Sequence, residues 1–307
     1  IDYDYSYVRN EGIINELYDR VINPIFGITD ETDNDKLKIK EQMRDCILYR
    51  LARAVAGYYQ DKNWFMLEGL RNSGKGVLIG LLETAIGEYM TSCDSSNFLS
   101  KGASFGNDAA KENMFLFNMQ LNRIINVQEF KTLPNKPQFI NGSVIKSICS
   151  GGDRIETRAH YGMPIKIRCQ SSLLFAANEY PDISPQNAIE TCTVWGMDSK
   201  FVDDTDIERV AGYMYYPRDN TIKQFITKDG VGLAFIHILI DALEFTTEQR
   251  QYPASKQTEN AEANDQLQTE NTASVLAGII KFTNIESDFI SNTDIATQLS
   301  TRNIVLG

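Results

Sequence analysis

Histidine is scarce in this chain of 307 residues, and its cysteines show no pairing in the sequence. The two histidines, His160 and His237, are far apart, and the five cysteines are scattered without a C-x-x-C motif. Zinc sites need closely spaced Cys and His ligands, and disulfide frameworks need an even set of cysteines. The sequence therefore argues against both, and it predicts a reducing, intracellular compartment.

Long hydrophobic runs are absent as well. The longest strongly apolar stretch, residues 231–240, is too short to cross a bilayer, and no secretory signal is present. With 42% hydrophobic and 23% charged residues, the chain has the composition of a globular protein with a substantial core. Because it begins at Ile1 and not at Met, we expect it to be a fragment of something longer.

Basic residues are outnumbered, and the net charge of −11 opposes nucleic-acid binding over the surface as a whole. The distribution is uneven, however. Residues 121–181 carry eight basic and four acidic side chains, whereas residues 182–307 carry nine and nineteen. This concentration predicts a local patch able to contact phosphates. A surplus of this size also arises by chance, so it decides nothing alone.

The spacing of apolar residues predicts alternating strands and helices. Predicted strands cover 64–68, 121–127 and 172–177, and predicted helices cover 36–59, 107–119, 140–149 and 231–245. Such alternation is typical of an α/β fold with a mainly parallel sheet. We expect an N-terminal helical region over residues 1–60, the α/β core over 61–218, and a C-terminal helical region with the start of a further domain over 219–307.

The most informative motif is the glycine-rich sequence GLRNSGKG at residues 69–76. It follows a predicted strand and precedes an apolar run that suits the core face of a helix. This is the order of a phosphate-binding loop, in which backbone N–H groups hold phosphate oxygens and the lysine, here Lys75, contacts the β and γ phosphates. The alternative is a glycine turn that happens to contain a lysine. The candidate nucleotide-binding residues are Gly69, Leu70, Arg71, Asn72, Ser73, Gly74, Lys75, Gly76 and Val77.

Two further polar side chains follow predicted strands. Glu129 comes after the strand at 121–127, where a carboxylate can polarise the attacking water or hold Mg²⁺. Asn178 follows the strand at 172–177, where its amide can orient water beside Glu129. A surface glutamate and a plain Asn-x-x-Pro turn are the alternatives. Three strand-end motifs at similar spacing nevertheless match one compact nucleotide site.

Three segments carry a resemblance to a known family. The loop at 69–76 resembles the Asn-containing phosphate loop of superfamily 3 helicases. Residues 145–158, IKSICSGGDRIETR, are similar to the Lys-x3-[TS]-Gly-Gly-Asp-x-Ile-x-x-Arg segment of primase-helicases from poxviruses and related large DNA viruses. Kinases and GTPases have no equivalent of this segment. Residues 219–226 also resemble the region that follows the motor core of that family, and the likeness covers roughly residues 60–245.

The resemblance implies an AAA+ P-loop NTPase core that assembles into a hexameric ring. Such a ring hydrolyses ATP with Mg²⁺ at its subunit interfaces and moves along single-stranded DNA. The resemblance implies Lys75, Glu129 and Asn178 as catalytic residues and a primase domain in the same or another chain. It also implies the host cytoplasm, at sites of viral replication, as the location.

The resemblance places a DNA-gripping hairpin within residues 146–161. Its candidate DNA-binding residues are Lys146, Arg154, Arg158 and His160. Cations suit this role because a motor must hold phosphates without reading bases. The alternative is that Arg154 and Arg158 are partners in structural ion pairs.

Two departures from the family pattern favour a second hypothesis. Gly76 stands where a Ser or Thr hydroxyl normally reaches Mg²⁺, and residues 188–193 lack the arginine that crosses to the ATP of the neighbouring subunit. Lys200, Arg209 and Arg218 are candidates to replace that arginine. The second hypothesis is a nucleotide-dependent oligomerisation module with weak or no hydrolysis. A small-molecule kinase is a third, which the segment at 145–158 disfavours.

Overall fold

A computed structural model describes residues 9–99, 113–128, 140–178, 183–184, 188, 191–203, 209 and 212–251. These residues belong to one compact unit that ends at Pro253, and the second unit, residues 254–307, lies outside the described part. Within the described ranges, no helix is long and apolar enough to span a membrane.

The helices fall into an N-terminal group, a central group and a C-terminal group. They are α1 (Glu11–Leu17), α2 (Asn23–Ile25), α3 (Asn34–Ala56), α4 (Lys75–Ile86), α5 (Met114–Phe117), α6 (Gly142–Ile148), α7 (Ile222–Ile226), α8 (Val231–Leu243) and α9 (Thr247–Arg250). A π-helical turn, Tyr18–Ile22, joins α1 to α2, and short 3-10 turns lie at Tyr59–Asp61, Gly87–Tyr89 and Ser95–Phe98.

Within the described ranges, the strands form one large sheet and three small ones. They are β1 (Trp64–Glu68), β2 (Met90–Asp94), β3 (Ile124–Gln128), β4 (Ile140–Asn141), β5 (Arg154–Thr157), β6 (Ile165–Arg168), β7 (Ser172–Ala177), β8 (Ile183–Ser184), β9 (Cys192–Gly196), β10 (Ser199–Val202) and β11 (Met214–Pro217). The large sheet is five-stranded and parallel in the order β2-β3-β7-β1-β9. The pairs β4–β8 and β10–β11 are parallel, and β5–β6 is an antiparallel hairpin.

The middle of the central sheet is buried on both faces, which explains why β1 and β7 are nearly continuous apolar runs. On β1, Phe65 and Leu67 belong to a core shared with the N-terminal helices, α4 and α8. Trp64 and Met66 belong to a second core on the opposite face, shared with α6 and the β5–β6 hairpin. The layered α/β fold with a mainly parallel sheet, predicted from the sequence, is therefore confirmed.

The chain reverses its order of strand addition at β1. From β1 it crosses to β2 at the edge and returns through β3 to β7, and β9 is then added on the other side of β1. Glu68, at the end of β1, lies opposite both Ala177 of β7 and Gly196 of β9. Ligands of open α/β sheets bind outside the carboxyl ends of the strands at such a reversal. The glycine-rich loop begins at this position.

Several predicted boundaries need correction. The helix predicted over 36–59 ends at Ala56, because Gly57 adopts a left-handed conformation with φ 86°. The helix predicted over 140–149 begins at Gly142, since the Asn141 side chain accepts the Ser143 and Val144 amides as an N-cap. Of the helix predicted over 107–119, the described residues contain α5 alone. The strand predicted over 121–127 covers Ile124–Gln128.

Candidate functional site

The glycine-rich loop joins β1 to α4 and fits tightly against its neighbours. The Gly69 amide donates to the Ala177 carbonyl at 3.3 Å, which ties the start of the loop to the end of β7. A Cβ on Gly69 would lie 2.8 Å from the Met197 carbonyl oxygen. Gly74 has φ 97°, and a Cβ there would lie 2.7 Å from Ile25. Both positions therefore require glycine, as the loop motif predicts.

Lys75, the first residue of α4, turns back into the loop. Its ammonium donates to the Gly69 carbonyl, to the Leu70 carbonyl at 3.1 Å and to the buried Ser73 hydroxyl at 3.2 Å. The loop oxygens thus hold one cation at the N-terminus of a twelve-residue helix. Positive charge and a helix N-terminus together favour a bound anion.

Gly76 is the second residue of α4, and the space around its Cα is open. A Cβ built at this position meets no atom within 4 Å. The missing hydroxyl is therefore not the result of crowding, and a serine side chain fits here.

A carboxylate pair that the sequence reading missed lies next to the loop. Glu68 is half-buried, and its pKa is raised by burial and by the nearby Asp198, while Lys75 acts in the opposite direction. The pKa of Tyr213 is raised by burial and by the same two carboxylates. These three acidic groups therefore share one neighbourhood with Lys75. The sequence signal that could have identified Glu68 is its place as an acidic residue at the last position of a buried strand.

Of the two other predicted catalytic residues, Asn178 lies within the described residues and Glu129 does not. Asn178 is exposed directly after β7, and the register of β7 with β1 brings it beside the start of the loop. Glu129 lies outside the described residues, one position beyond the end of β3. Since β3 pairs with β7, the strand that precedes Glu129 is adjacent to the strand that precedes Asn178. The catalytic roles of both, and that of Glu129 toward Mg²⁺, stay predictions.

A cavity of about 440 Å³ opens beside the loop. Its walls come from the N-terminal helices, the loop with the start of α4, β10, and the start of α7 with the residues before it. The apolar lining residues are Val21, Ile25, Val77, Phe201 and Ile222. Among the described residues, the charged lining residues are the cations Arg20, Arg71, Arg218 and Lys223 and the carboxylate of Asp219. The cavity is thus an apolar pocket with a positively charged rim.

Arg20 organises one side of this rim. Its guanidinium donates to Asp219 at 2.6 Å, to the Thr221 hydroxyl at 2.8 Å and to Glu16 at 2.7 Å, and it lies 4.4 Å above the centre of the Phe225 ring. The pKa of Asp219 falls to about 2, first through its hydrogen bond from Thr221 and then through Arg20. The N-terminal helices and the residues before α7 are therefore joined at the cavity.

The three cations predicted to act on a neighbouring subunit lie in two different places. Lys200 and Arg209 both lie over the Tyr215 ring, at 5.7 and 5.6 Å from its centre. Arg218 pairs with Asp203 at 2.6 Å and lines the cavity next to the loop of its own chain. Of the three cations, Arg218 is therefore the one that lines the cavity, whereas Lys200 and Arg209 contact Tyr215.

The hairpin predicted within 146–161 is displaced along the chain. It consists of β5 and β6 and spans residues 154–168, with Arg154 opposite Arg168. Lys146 lies on the preceding helix α6, where it is exposed, so its assignment to the hairpin is wrong. Of the other predicted DNA-binding residues, Arg154 and His160 are exposed and Arg158 is half-buried.

The hairpin is attached to the rest of the molecule by one face. Ile155 and Ile167 are buried in the second core, and the Thr157 hydroxyl donates to the Asn113 carbonyl at 2.8 Å. The opposite face carries the exposed residues Arg154, Glu156, Lys166 and Arg168. Three of these four side chains are cations, which agrees with the concentration of positive charge seen in the sequence.

Comparisons with known proteins point to viral helicases. No protein-family model matches the chain. Over 247 residues it is 24% identical to "Putative helicase V13" of Sputnik virophage, a match that covers 80% of this chain. The same match covers 31% of that protein, so the chain spans about a third of the length of this curated relative. The chain is thus similar in sequence to a viral helicase-like protein.

Solved structures share the fold. An apo structure of the NrS-1 C-terminal region superposes with a TM-score of 0.50 and 13% sequence identity, covering 85% of this chain and 52% of that one. A second apo form of the region gives a TM-score of 0.48 at 12% identity, covering 98% of this chain and 64% of the other. At this level of identity the first superposition supports the architecture alone.

Proposed function

We propose that the chain is the superfamily 3, AAA+ motor of a viral replication protein. In this proposal it hydrolyses ATP at the subunit interfaces of a homo-hexameric ring and moves along single-stranded DNA. The observation that carries it is the glycine-rich loop, which closes around Lys75 at the end of β1 and opens onto a cavity of about 440 Å³.

The two parts of the site match the two parts of a nucleotide. The loop amides, the N-terminus of α4 and Lys75 suit the β and γ phosphates. The apolar wall formed by Val21, Ile25 and Ile222 suits a base, and the cations of the rim suit the remaining phosphate charge. A nucleoside triphosphate is the ligand class that combines these features.

Mg²⁺ is the expected second cofactor. The described residues contain no cluster of three or more acidic, histidine or cysteine side chains that could hold a metal alone, so the phosphate oxygens and water would complete the coordination. Glu68 and Asp198 repel one another next to Lys75, a conflict that a divalent cation would relieve. Glu129 and Glu68 are the carboxylates at strand ends that would hold the ion, and a water would replace the hydroxyl absent at Gly76. Bound Mg²⁺ would neutralise charge on the transferred phosphate.

The cationic face of the β5–β6 hairpin supports DNA as the second partner. Arg154, Lys166 and Arg168 provide exposed charges for phosphates, independent of base sequence. A primase domain in the same or another chain, and the host cytoplasm at viral replication sites, complete the proposal. Gly76 favours the alternative, a nucleotide-dependent oligomerisation module with weak or no hydrolysis.

ATP turnover, measured with and without single-stranded DNA alongside the mass of the particle, tests the proposal. We expect DNA-stimulated turnover by a hexamer, and loss of turnover in Lys75→Ala. Because Lys75 also cross-links the loop, the unfolding temperature of the variant must be measured too. Lys38→Ala, which removes an exposed lysine on α3, is the matched control. A ring that binds nucleotide without turnover would support the oligomerisation module, and parental turnover in folded Lys75→Ala would refute the site.

A further inference from the structure

The tip of the β5–β6 hairpin exposes large apolar side chains to solvent. Tyr161 is 96% exposed and Met163 is 83% exposed, and Ile165 at the start of β6 is 42% exposed. Hairpin turns normally carry small polar residues or glycine. Large apolar side chains that are exposed together in one turn are typical of a contact surface.

The backbone at this tip is strained at Tyr161, the most exposed residue of the turn. The Gly162 amide donates to the Ala159 carbonyl at 2.9 Å, so residues 159–162 form a tight turn. Tyr161 occupies the third position of this turn with φ 60°. Glycine is favoured at that position because its φ is positive, and an aromatic residue there costs about 1 kcal/mol or more. The strained tyrosine gains no buried packing in return.

The histidine next to it supports the tyrosine ring. The centres of the His160 and Tyr161 rings lie 4.0 Å apart at an interplanar angle of 55°. This contact restricts the tyrosine ring, so less entropy is lost when a flat ligand stacks on its other face.

The charges on the strands that lead to the tip identify the kind of ligand. Arg154 lies opposite Arg168, and Lys166 lies opposite Glu156, on the exposed face of the same two strands. A ligand that suits both parts has flat aromatic groups joined by a chain of negative charges. Single-stranded nucleic acid has this chemistry, and aromatic side chains that stack on bases within a cationic groove are how such strands are bound.

We propose that Tyr161, supported by His160, is a stacking platform for an unpaired base, while Arg154, Lys166 and Arg168 bind phosphates farther along the same nucleic-acid strand. This inference rests on the proposed function, since it specifies how the motor contacts its strand. It differs from a purely ionic contact in one measurable respect: the bases themselves contribute to affinity.

Affinity for an ordinary single-stranded oligonucleotide and for an abasic strand of equal length tests the platform. We expect the parent to bind the ordinary strand about tenfold or more tightly, which corresponds to the stacking of one base. Tyr161→Ala should remove this preference without changing the salt dependence, and Tyr161→Phe should keep it. Arg154→Gln should instead lower the salt dependence, by about 0.7 in slope per lost phosphate contact. Tyr89→Ala, at an exposed tyrosine outside the hairpin, is the control.

Tyr161→Gly tests whether misfolding, and not the loss of the ring, explains a loss of base-dependent binding. Glycine relieves the positive φ, so this variant should unfold at the parental temperature or above it while losing base-dependent affinity. Equal affinity of the parent for both strands, or parental binding by Tyr161→Ala, would overturn the platform even if DNA stimulates ATP turnover. Base-dependent binding without ATP turnover would leave the platform standing and refute the motor.

Discussion

The guanidinium of Arg20 lies 2.6 Å from the carboxylate of Asp219, although the two residues are 199 positions apart in the sequence. Arg20 belongs to the π-helical turn after α1, and Asp219 lies just before α7. Their contact closes one side of the cavity beside the glycine-rich loop. The N-terminal helices are therefore part of the candidate nucleotide site.

Asp219→Asn should lower the stability of the folded chain by about 1 kcal/mol at neutral pH, because the pair is partly exposed but charge-assisted. The folded-state pKa of Asp219 is about 2, below its ordinary 3.8. Its contribution is thus fully present above pH 3.8 and is lost as the pH falls through about 2. Urea unfolding of parent and variant should therefore converge toward pH 2.

Nucleotide affinity separates this pair from an ordinary surface ion pair. Asp219→Asn should weaken ATP binding, because Arg20 loses the partner that holds it at the cavity rim. Asp241→Asn breaks a comparable exposed pair, with Arg9 at 2.7 Å, away from the cavity lining. It should leave ATP affinity unchanged. Equal effects of the two variants on ATP binding would contradict a role for Arg20 in the site.

The elements that could be predicted are those whose sequence signal is local. The strand β7 matches its predicted bounds, and β1 does too, because each is an uninterrupted apolar run between polar residues. The glycine-rich loop could be placed at residues 69–76, since its backbone requires glycine at Gly69 and Gly74. The β5–β6 hairpin was misplaced because its strands have four residues each and its exposed face is charged.

The cavity could not be predicted because it is built from distant segments. Arg20, Arg71 and Arg218 come from three regions of the chain, and no spacing relates them. Tyr161 was also missed as a candidate, since its exposure and its positive φ are properties of the folded turn. The sequence alone does not single out Glu68, because a glutamate at the end of a strand is a weaker signal than the glycine-rich motif that follows it.

Gly76→Ser tests whether a missing hydroxyl limits the proposed hydrolysis. The open space at this position accepts the side chain, so the variant should fold with unchanged or slightly higher stability. Serine should lower the Mg²⁺ concentration needed for half-maximal turnover, since it supplies a direct ligand. Gly76→Ala is the control, because it adds a Cβ without the hydroxyl. An identical magnesium dependence in all three proteins would mean that this position does not contribute to metal binding.

Glu68→Gln should stabilise the protein at neutral pH. The folded-state pKa of Glu68 is raised above its ordinary 4.5, so the folded chain binds the proton more tightly than the unfolded chain. Ionisation therefore lowers parental stability as the pH rises from 4.5 through the raised pKa. The advantage of the variant should disappear below pH 4.5, as measured by thermal unfolding.

Turnover of Glu68→Gln then distinguishes a structural from a functional carboxylate. If Glu68 holds Mg²⁺, the stabilised variant should hydrolyse ATP more slowly at limiting Mg²⁺, and excess metal should partly restore the rate. Glu83→Gln, at an exposed position on α4, should change neither property. Parental turnover at every magnesium concentration would leave Glu129 as the candidate ligand.

Arg218→Ala tests whether this cation acts on the nucleotide of its own chain. Because Arg218 lines the cavity next to its own loop, the variant should weaken ATP binding about tenfold even when the protein is too dilute to assemble. Lys200→Ala and Arg209→Ala should leave this affinity unchanged. If either residue reaches a neighbouring site, its loss should lower turnover only where chains associate.

Mixed assemblies give the decisive comparison for Arg218. Subunits with Lys75→Ala lack a working site but keep Arg218, whereas subunits with Arg218→Ala keep the loop intact. If Arg218 acts within its own chain, mixing the two variants restores no turnover, because neither subunit has a complete site. If it acts across the interface, each Lys75→Ala subunit supplies the missing arginine to its neighbour and turnover returns. The position of Arg218 at the cavity, paired with Asp203 at 2.6 Å, leads us to expect no recovery.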